Sequence, residues 1–335
     1  MKDITIAVPF VIQAIEGARH AGYDVKRLLK EAGISPSLLH QPRARVALEP
    51  FVRLVQNLMR TMDDEAVGLL EKPQRLGTFL LVARSVLHET DLRGAIRCHA
   101  RAYNLLDSGF VHFVEEQPQR VIYGLRRRNA QSIRSDYIIE SATMTLHRFL
   151  CWLCRARIPL LQVELDYAAP PWVDEYRYLF YGAPVLFSRR EIRLELRPAD
   201  MELRVKQDVF SLAEYFARAP MDIFAPTSNA SLAFRAREEI LRSLRAGRGV
   251  PKASAVAEGL QMGPQTLWRR LREEGTDFTT LRTQARRDMA IWMLSQPEGR
   301  SVDDIAEAVG FSESSAFVRA FRHWTGMTPL RYRKL

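Results

Sequence analysis

Apolar residues recur at helical spacing through most of the first hundred positions. Phe10, Ala14, Ala18 and Ala21 form one such run. Phe51, Leu54, Val55, Leu58 and Met59 form another, after a polar loop around Gln41-Pro42-Arg43. Spacings of three and four put one apolar stripe on a helix, so this region is expected to be mostly helical. Asp91 suits an N-cap, which predicts a helix from there through Leu106. The pattern then changes. Gly109–Val114 and Arg120–Leu125 are β-rich and flank a polar turn, Glu115-Glu116-Gln117-Pro118-Gln119, which predicts a hairpin. A long helix is expected over about Ser132–Cys154. Short strands follow at Leu161–Leu165, Pro184–Phe187 and Ile192–Leu196, and then a helix at Val209–Arg218. Helices beside a mainly antiparallel sheet make an α+β domain.

Beyond Ala219-Pro220 the pattern loses its period until about position 230, and a second proline, Pro226, stands in that stretch. Everything after it reads as helix. The expected organisation is an α+β domain over 1–222, a linker at 223–230, and an all-α domain over 231–335. The last third also repeats itself. Val256-Ala257-Glu258 and Leu260 correspond to Ile305-Ala306-Glu307 and Val309 at an offset of 49. One residue later in the frame, Leu267, Arg269, Leu271 and Arg272 correspond to Phe317, Arg319, Phe321 and Arg322. Each copy has a short helix, a tight turn and a second helix, at about 251–275 and 301–325. Gly310 suits a turn position with positive φ, and Pro264 and Ser312 suit helix starts. Such a pair can be two ordinary packed helices. Two copies in one segment favour a helix-turn-helix array.

Charge strengthens that choice. The chain of 335 residues carries a net charge of +10, and residues 228–335 hold 18 Lys+Arg against 12 Asp+Glu. A polyanion is expected to meet the chain there. Hydrophobic residues make up 47% and charged residues 26%, which is ordinary for a domain with a packed core. The longest uncharged run is 12 residues, well short of the roughly 20 a membrane span needs. No signal peptide is read at the N-terminus, and three cysteines in a chain this long suggest no disulfide framework; a cytoplasmic location is expected.

The second helix of each copy carries the candidate chemistry. Phe317, Phe321 and Trp324 share the inward face of copy two, leaving Ser314, Ser315, Val318, Arg319 and Arg322 outside. Leu267 and Leu271 face inward in copy one, leaving Gln265, Trp268, Arg269 and Arg272 outside. A major groove admits one α-helix, and Arg, Gln and Ser read its base edges. Trp268 fits a thymine methyl or sugar edge, and equally a domain contact. Between the copies, Asp277–Ser295 predicts an amphipathic helix about 27 Å long at 1.5 Å per residue. That suits a stiff spacer setting two reading helices in successive grooves about 34 Å apart.

At this point the chain resembles a known family. Residues 229–335 resemble the DNA-binding domain of AraC/XylS-type transcriptional regulators, above all through SVDDIAEAVGFSESSAFVRAFRHWTGMTPLRYRKL at 301–335 and MGPQTLWRRLREEG at 262–275. The resemblance implies base-reading roles for Gln265, Trp268, Arg269, Ser314, Ser315 and Arg319, the positions that the helical faces select. Ser314 and Ser315 are short, which implies weaker base readout in copy two. Residues 8–39 and 176–203 resemble the arabinose-binding-like effector domain that accompanies it. That implies a small-molecule effector, a homodimer, and activation by contacting RNA polymerase. It does not imply arabinose.

Other features tempt. Cys151 and Cys154 have CxxC spacing inside an apolar helix, which reads as core packing. Cys98-His99 faintly resembles a methyl-acceptor site, so a DNA-alkylation repair protein is the alternative, and a sequence-indifferent architectural binder is a second rival. No histidine pattern suggests a metal, no phosphate loop or nucleophile elbow appears, and no cofactor or enzyme activity is expected. Asp63-Asp64-Glu65 and Asp303-Asp304 read as helix-start acids, and Glu115-Glu116 as a hairpin turn. Ser141, Thr145, Arg148 and Trp152 fall on one helical stripe. It can line a cavity, with Arg148 meeting a carboxylate, but a surface stripe or interface is the simpler reading. The effector-binding residues stay unassigned.

Overall fold

Two lengths of the N-terminal region fold together with the helical C-terminal part. In this computed structural model the described residues are 4–107, 109–129, 131–218, 221–224, 231–296 and 299–334. They fall into two units. One comprises Met1–Ile12, Leu29–Leu54 and Ala225–Leu335; the other comprises Gln13–Leu28 and Val55–Phe224. Most of the stretch read as a linker, 225–230, lies outside the described residues.

In the first unit, strand β1 (Thr5–Ala7) pairs antiparallel with β2 (Arg45–Ala47). At three residues each, these strands are too short for an alternating pattern to register, and the sequence reading missed them. The rest is helical: Leu232–Arg245, Ala253–Gly259, Pro264–Glu273, Phe278–Leu294, Val302–Ala308, Ser314–Thr325 and Pro329–Arg333. Local chemistry sets the starts. Ser231 accepts from the Phe234 amide at 3.2 Å, and Asp277 from the Thr280 amide at 2.9 Å. Ser301 and Asp304 form a reciprocal capping box, so Asp303-Asp304 do begin a helix. Pro264 and Pro329 occupy first-turn positions, where a missing N–H costs nothing.

A buried carboxylate ties this two-stranded sheet to these helices. Asp288, on the Phe278–Leu294 helix, is 3% exposed. Arg237 donates to it at 2.6 Å, Arg287 at 2.8 Å, and the Thr5 hydroxyl at 2.6 Å. Arg45 lies 3.7 Å from the same carboxylate and donates to the Thr5 hydroxyl at 2.6 Å. Tyr332, near the C-terminus, donates its hydroxyl to the Arg45 carbonyl. Burial alone would raise the Asp288 pKa. The guanidinium groups of Arg287, Arg237 and Arg45 outweigh it and hold the carboxyl well below the usual range.

The repeat survives in backbone detail. Gly310 ends the first helix of copy two at φ 81, and Gln261, 49 positions earlier, takes φ 58 in copy one. A side chain in the left-handed region costs about 1–2 kcal/mol. Replacing Gln261 with glycine is therefore expected to stabilise the fold by roughly 0.5–1 kcal/mol, the relief less the added freedom of the unfolded chain. The reverse change, Gly310→Ala, also sets a Cβ 2.5 Å from Val250 and is expected to destabilise. Urea unfolding of both variants checks the pair; a gain from Gly310→Ala would contradict the assignment.

The second unit is built on a five-stranded sheet in the order β3-β4-β7-β5-β6. Its strands are β3 (Phe110–Gln117), β4 (Arg120–Arg127), β5 (Leu160–Glu164), β6 (Val185–Leu186) and β7 (Ile192–Leu196). Every pairing is antiparallel except β5–β6. The expected hairpin is present, and its register sets Phe113 opposite Gly124. A Cβ at Gly124 would meet the Phe113 ring at 2.0 Å, so only glycine admits that ring. The Tyr137–Cys154 helix is buried along most of its length, matching its apolar sequence. Asp91 caps the Leu92–Leu105 helix as expected, accepting from the Gly94 amide at 2.9 Å.

Several local readings need correction. Glu115 and Glu116 belong to β3 rather than to the turn, because pairing continues to Gln117 opposite Arg120. Glu116 there faces Arg93 and Arg97. Asp63, Asp64 and Glu65 follow the Leu48–Met62 helix instead of starting one. Buried Asp64 accepts from the amides of Ala66, Gly68 and Gln74 at 2.9, 2.7 and 2.7 Å, and so organises a loop. Glu65 accepts from the amides of Gly77 and Phe79, both at 2.8 Å, and so serves the start of the distant Thr78–Val86 helix. The run around Phe10–Ala21 is two helices, Val8–Ala14 and Glu16–His20, rather than one.

Candidate nucleic-acid interface

The two repeated helices, Pro264–Glu273 and Ser314–Thr325, each bury one apolar face. Leu267, Leu271, Phe317 and Phe321 are all 0% exposed. At roughly 1.5–3 kcal/mol for each fully buried side chain, this fixes how both helices are rotated about their axes. Phe317 and Phe321 pack with ring centroids 5.6 Å apart, and Phe311 lies 5.6 Å from Phe317. Trp324, expected inside, is half-buried against Phe311 at 6.0 Å.

The opposite faces carry the residues selected from sequence. Gln265, Trp268, Arg269 and Arg272 are exposed and, with Glu273, line one shallow depression. Trp268 is 54% exposed, a large apolar surface to leave in water. Arg269 donates to Glu273 at 2.7 Å, an exposed i,i+4 pair that holds little against a competing polyanion. Ser315, Arg319 and Arg322 are exposed, and Ser314 is half-buried, with its hydroxyl donating to Asp303. Ser314 thus braces the two helices of copy two against each other.

One residue that the sequence reading missed supports this face. Arg286, on the spacer helix Phe278–Leu294, donates to the Val309 carbonyl at 2.7 Å and the Gly310 carbonyl at 2.9 Å. Its guanidinium lies 3.7 Å from the centroid of Phe311. These contacts join the copy-two turn to the spacer. Helix-end carbonyls and cation–π stacking leave no trace in periodicity, so no pattern marked Arg286 in advance.

Comparison with known proteins agrees with this arrangement. Residues 256–335 match the family described as a helix-turn-helix domain. Residues 22–205, more than half of the chain, match the arabinose-binding domain of AraC transcription regulators. The HTH-type transcriptional regulator VirS of Mycobacterium tuberculosis is 42% identical over 331 residues, covering 94% of this chain and 92% of VirS. The chain belongs to the AraC family of transcription regulators. The ornithine utilization regulator of Pseudomonas aeruginosa is 24% identical over 319 residues, 94% of this chain and 92% of that one. The solved structure of the regulator CdpR, from the same species, is 21% identical and covers 84% of this chain and 96% of CdpR at a TM-score of 0.27.

As an AraC-family regulator, the chain binds DNA through its helix-turn-helix region and carries an N-terminal effector-binding domain. The family is non-enzymatic, which removes the alkyl-acceptor alternative. Cys98 sits mid-helix, 3.6 Å from the Ser85 hydroxyl. Cys151 and Cys154 are buried in the Tyr137–Cys154 helix, and burial pushes their thiols up to about 11 and about 12. Among the described residues, no helix is long and apolar enough to cross a membrane.

The effector-binding region of this AraC-family chain contains a cavity of about 330 Å³. Ser141 and Thr145 line it, which corrects the surface reading of their stripe: the Tyr137–Cys154 helix turns that stripe inward at these two positions. Arg148, on the same stripe, is buried at 3% exposure with its guanidinium 5.4 Å from the Tyr181 ring centroid. No carboxylate pairs with it among the described residues. His99, Tyr103, His112 and Tyr123 also line the cavity and were not singled out from sequence. Positions 112 and 123 share one face of the hairpin at strand period two, and 99 and 103 share one helix face, so the geometry to find them was present.

Proposed function

We propose that the chain is a cytoplasmic, effector-controlled activator that binds its promoter through two reading helices in successive major grooves. Pro264–Glu273 would present Gln265, Trp268, Arg269 and Arg272 to one groove. Ser314–Thr325 would present Ser314, Ser315, Arg319 and Arg322 to the next. The observation that carries this reading is the doubled pattern of one fully buried apolar face and one exposed cationic face, on helices of two copies between which the 17-residue helix Phe278–Leu294 runs. With Ser314 occupied by Asp303, base readout by the second helix falls mainly to Arg319. The domains would run 1–222 and 231–335. Two copies would pair as a homodimer, and the effector would shift the population toward a DNA-competent state that contacts RNA polymerase.

The test is binding of the full-length chain to promoter DNA across base substitutions and salt. Arg269→Ala is expected to relax preference at one defined base position by about 1–3 kcal/mol while leaving others intact. The affinity of the unaltered protein is expected to fall steeply and linearly on a log scale with added salt. A uniform loss across all sequences from Arg269→Ala would favour the architectural binder instead.

A further inference from the structure

The cavity in the effector-binding unit has a lining of unusual polarity. Its walls are mostly apolar, yet four polar atoms with no protein hydrogen-bond partner among the described residues belong to side chains that line it. They are His99 Nε2, the Tyr103 hydroxyl, Ser141 Oγ and Thr145 Oγ1. An apolar cavity with a few polar groups is the usual form of a small-molecule site, and about 330 Å³ lies at the lower end of the usual range.

The polar groups are neutral. Tyr123 Oη lies 2.7 Å from His99 Nδ1 and 2.8 Å from His112 Nδ1. One hydroxyl has one proton, so it donates to one imidazole and accepts from the other. The two rings are therefore held in opposite tautomers, each with one proton. Burial supports this: it pushes His112 down to about 3, and His99 well below its ordinary value. The charged side chains on the lining are Arg60 and Glu65. Arg60 is exposed, and Glu65 is occupied by the amides of Gly77 and Phe79. A charged ligand group placed among the neutral groups would lose its hydration without a counter-charge.

We propose that this cavity holds the effector, and that the effector is an uncharged molecule with an apolar body and one or two hydroxyl or carbonyl oxygens. The oxygens meet the Ser141, Thr145 and Tyr103 hydroxyls and His99 Nε2; the body fills the apolar remainder. The assignment rests on this domain being the effector-binding part of the chain.

The experiment measures binding of matched probes to the full-length protein by calorimetry and thermal shift. The neutral probes are 1-naphthol, 4-phenylbutan-2-one and cyclohexylmethanol. Their anionic counterparts are 1-naphthoate, 4-phenylbutanoate and cyclohexanecarboxylate. At least one neutral probe is expected to raise the melting temperature by several degrees and to bind at least tenfold tighter than its counterpart. The double variant Ser141→Ala/Thr145→Val should weaken it five- to tenfold, and Ala142→Phe should abolish it. Tighter binding of the anions, lost in Arg60→Ala, would overturn the ligand class while leaving the cavity as the site. No binding by any probe, or binding indifferent to the cavity variants, would overturn the site. Binding as expected with promoter affinity unchanged would instead overturn the effector role and spare the cavity.

Discussion

Replacing Asp288 with alanine is expected to destabilise the first unit by about 3–5 kcal/mol, the range for removing one partner of a buried ion pair. The size follows from what is left behind. Arg237 and Arg45 are each 5% exposed, and Arg287 is half-buried, so three guanidinium groups would face one another with their shared anion gone. The Thr5 hydroxyl would also lose its acceptor. Asp288→Asn keeps the shape and part of the hydrogen bonding, so it should cost less than alanine but remain clearly destabilising. The pH dependence has a fixed sign. The folded-state carboxyl is held below its unfolded value of about 3.9, so its contribution is full above roughly pH 5 and shrinks as pH falls below about 4. The stability gap between the unaltered protein and Asp288→Asn should therefore be widest near neutrality and narrow in acid. Denaturant unfolding between pH 3 and 7 measures it, and a gap that widens toward acid would contradict the assignment.

The second large effect is expected at Phe321. Truncation to alanine should cost about 3–5 kcal/mol, as for other fully buried aromatic residues. Phe321 packs edge-on against Phe317 at 5.6 Å and against Tyr332 at 5.5 Å. The loss is thus felt in two places. The exposed face of Ser314–Thr325 loses the anchor that fixes its rotation, and Tyr332 loses a neighbour that holds its hydroxyl on the Arg45 carbonyl. Arg322→Ala, one position along but exposed, should stay within about 0.5 kcal/mol. Denaturant unfolding of the two variants side by side is the check. Equal costs would mean that the inward and outward faces of this helix have been assigned wrongly.

Much of this was legible in the sequence, because strong periods and end signals carried it. Asp91, Pro264 and Asp303-Asp304 announced helix starts, whereas Ser312 did not, since Glu313 precedes the Ser314–Thr325 helix. The exposed rows on both repeated helices followed from Leu267, Leu271, Phe317 and Phe321. Contacts between distant residues were not legible. Thr5, Arg45 and Asp288 are separated by up to 283 positions, and nothing local in any of them points to the others. Glu65 caps a helix that begins 13 residues later, so its place in a run of acids misled. The cavity was hidden for a similar reason. Its lining combines a helix face, a hairpin face and a second helix, each of which reads by itself as ordinary core. Ser314 was read as a base contact from its helical face alone; its bond to Asp303 depends on the fold of the whole motif.

The central claim is that one chain touches neighbouring major grooves through two separate helices. Hydroxyl-radical footprinting of the full-length protein on its promoter tests it most directly. Two protected clusters are expected on one face of the duplex, about 10 base pairs apart. Arg269→Ala should fade one cluster and Arg319→Ala the other. A single cluster, or two that fade together in either variant, would contradict it.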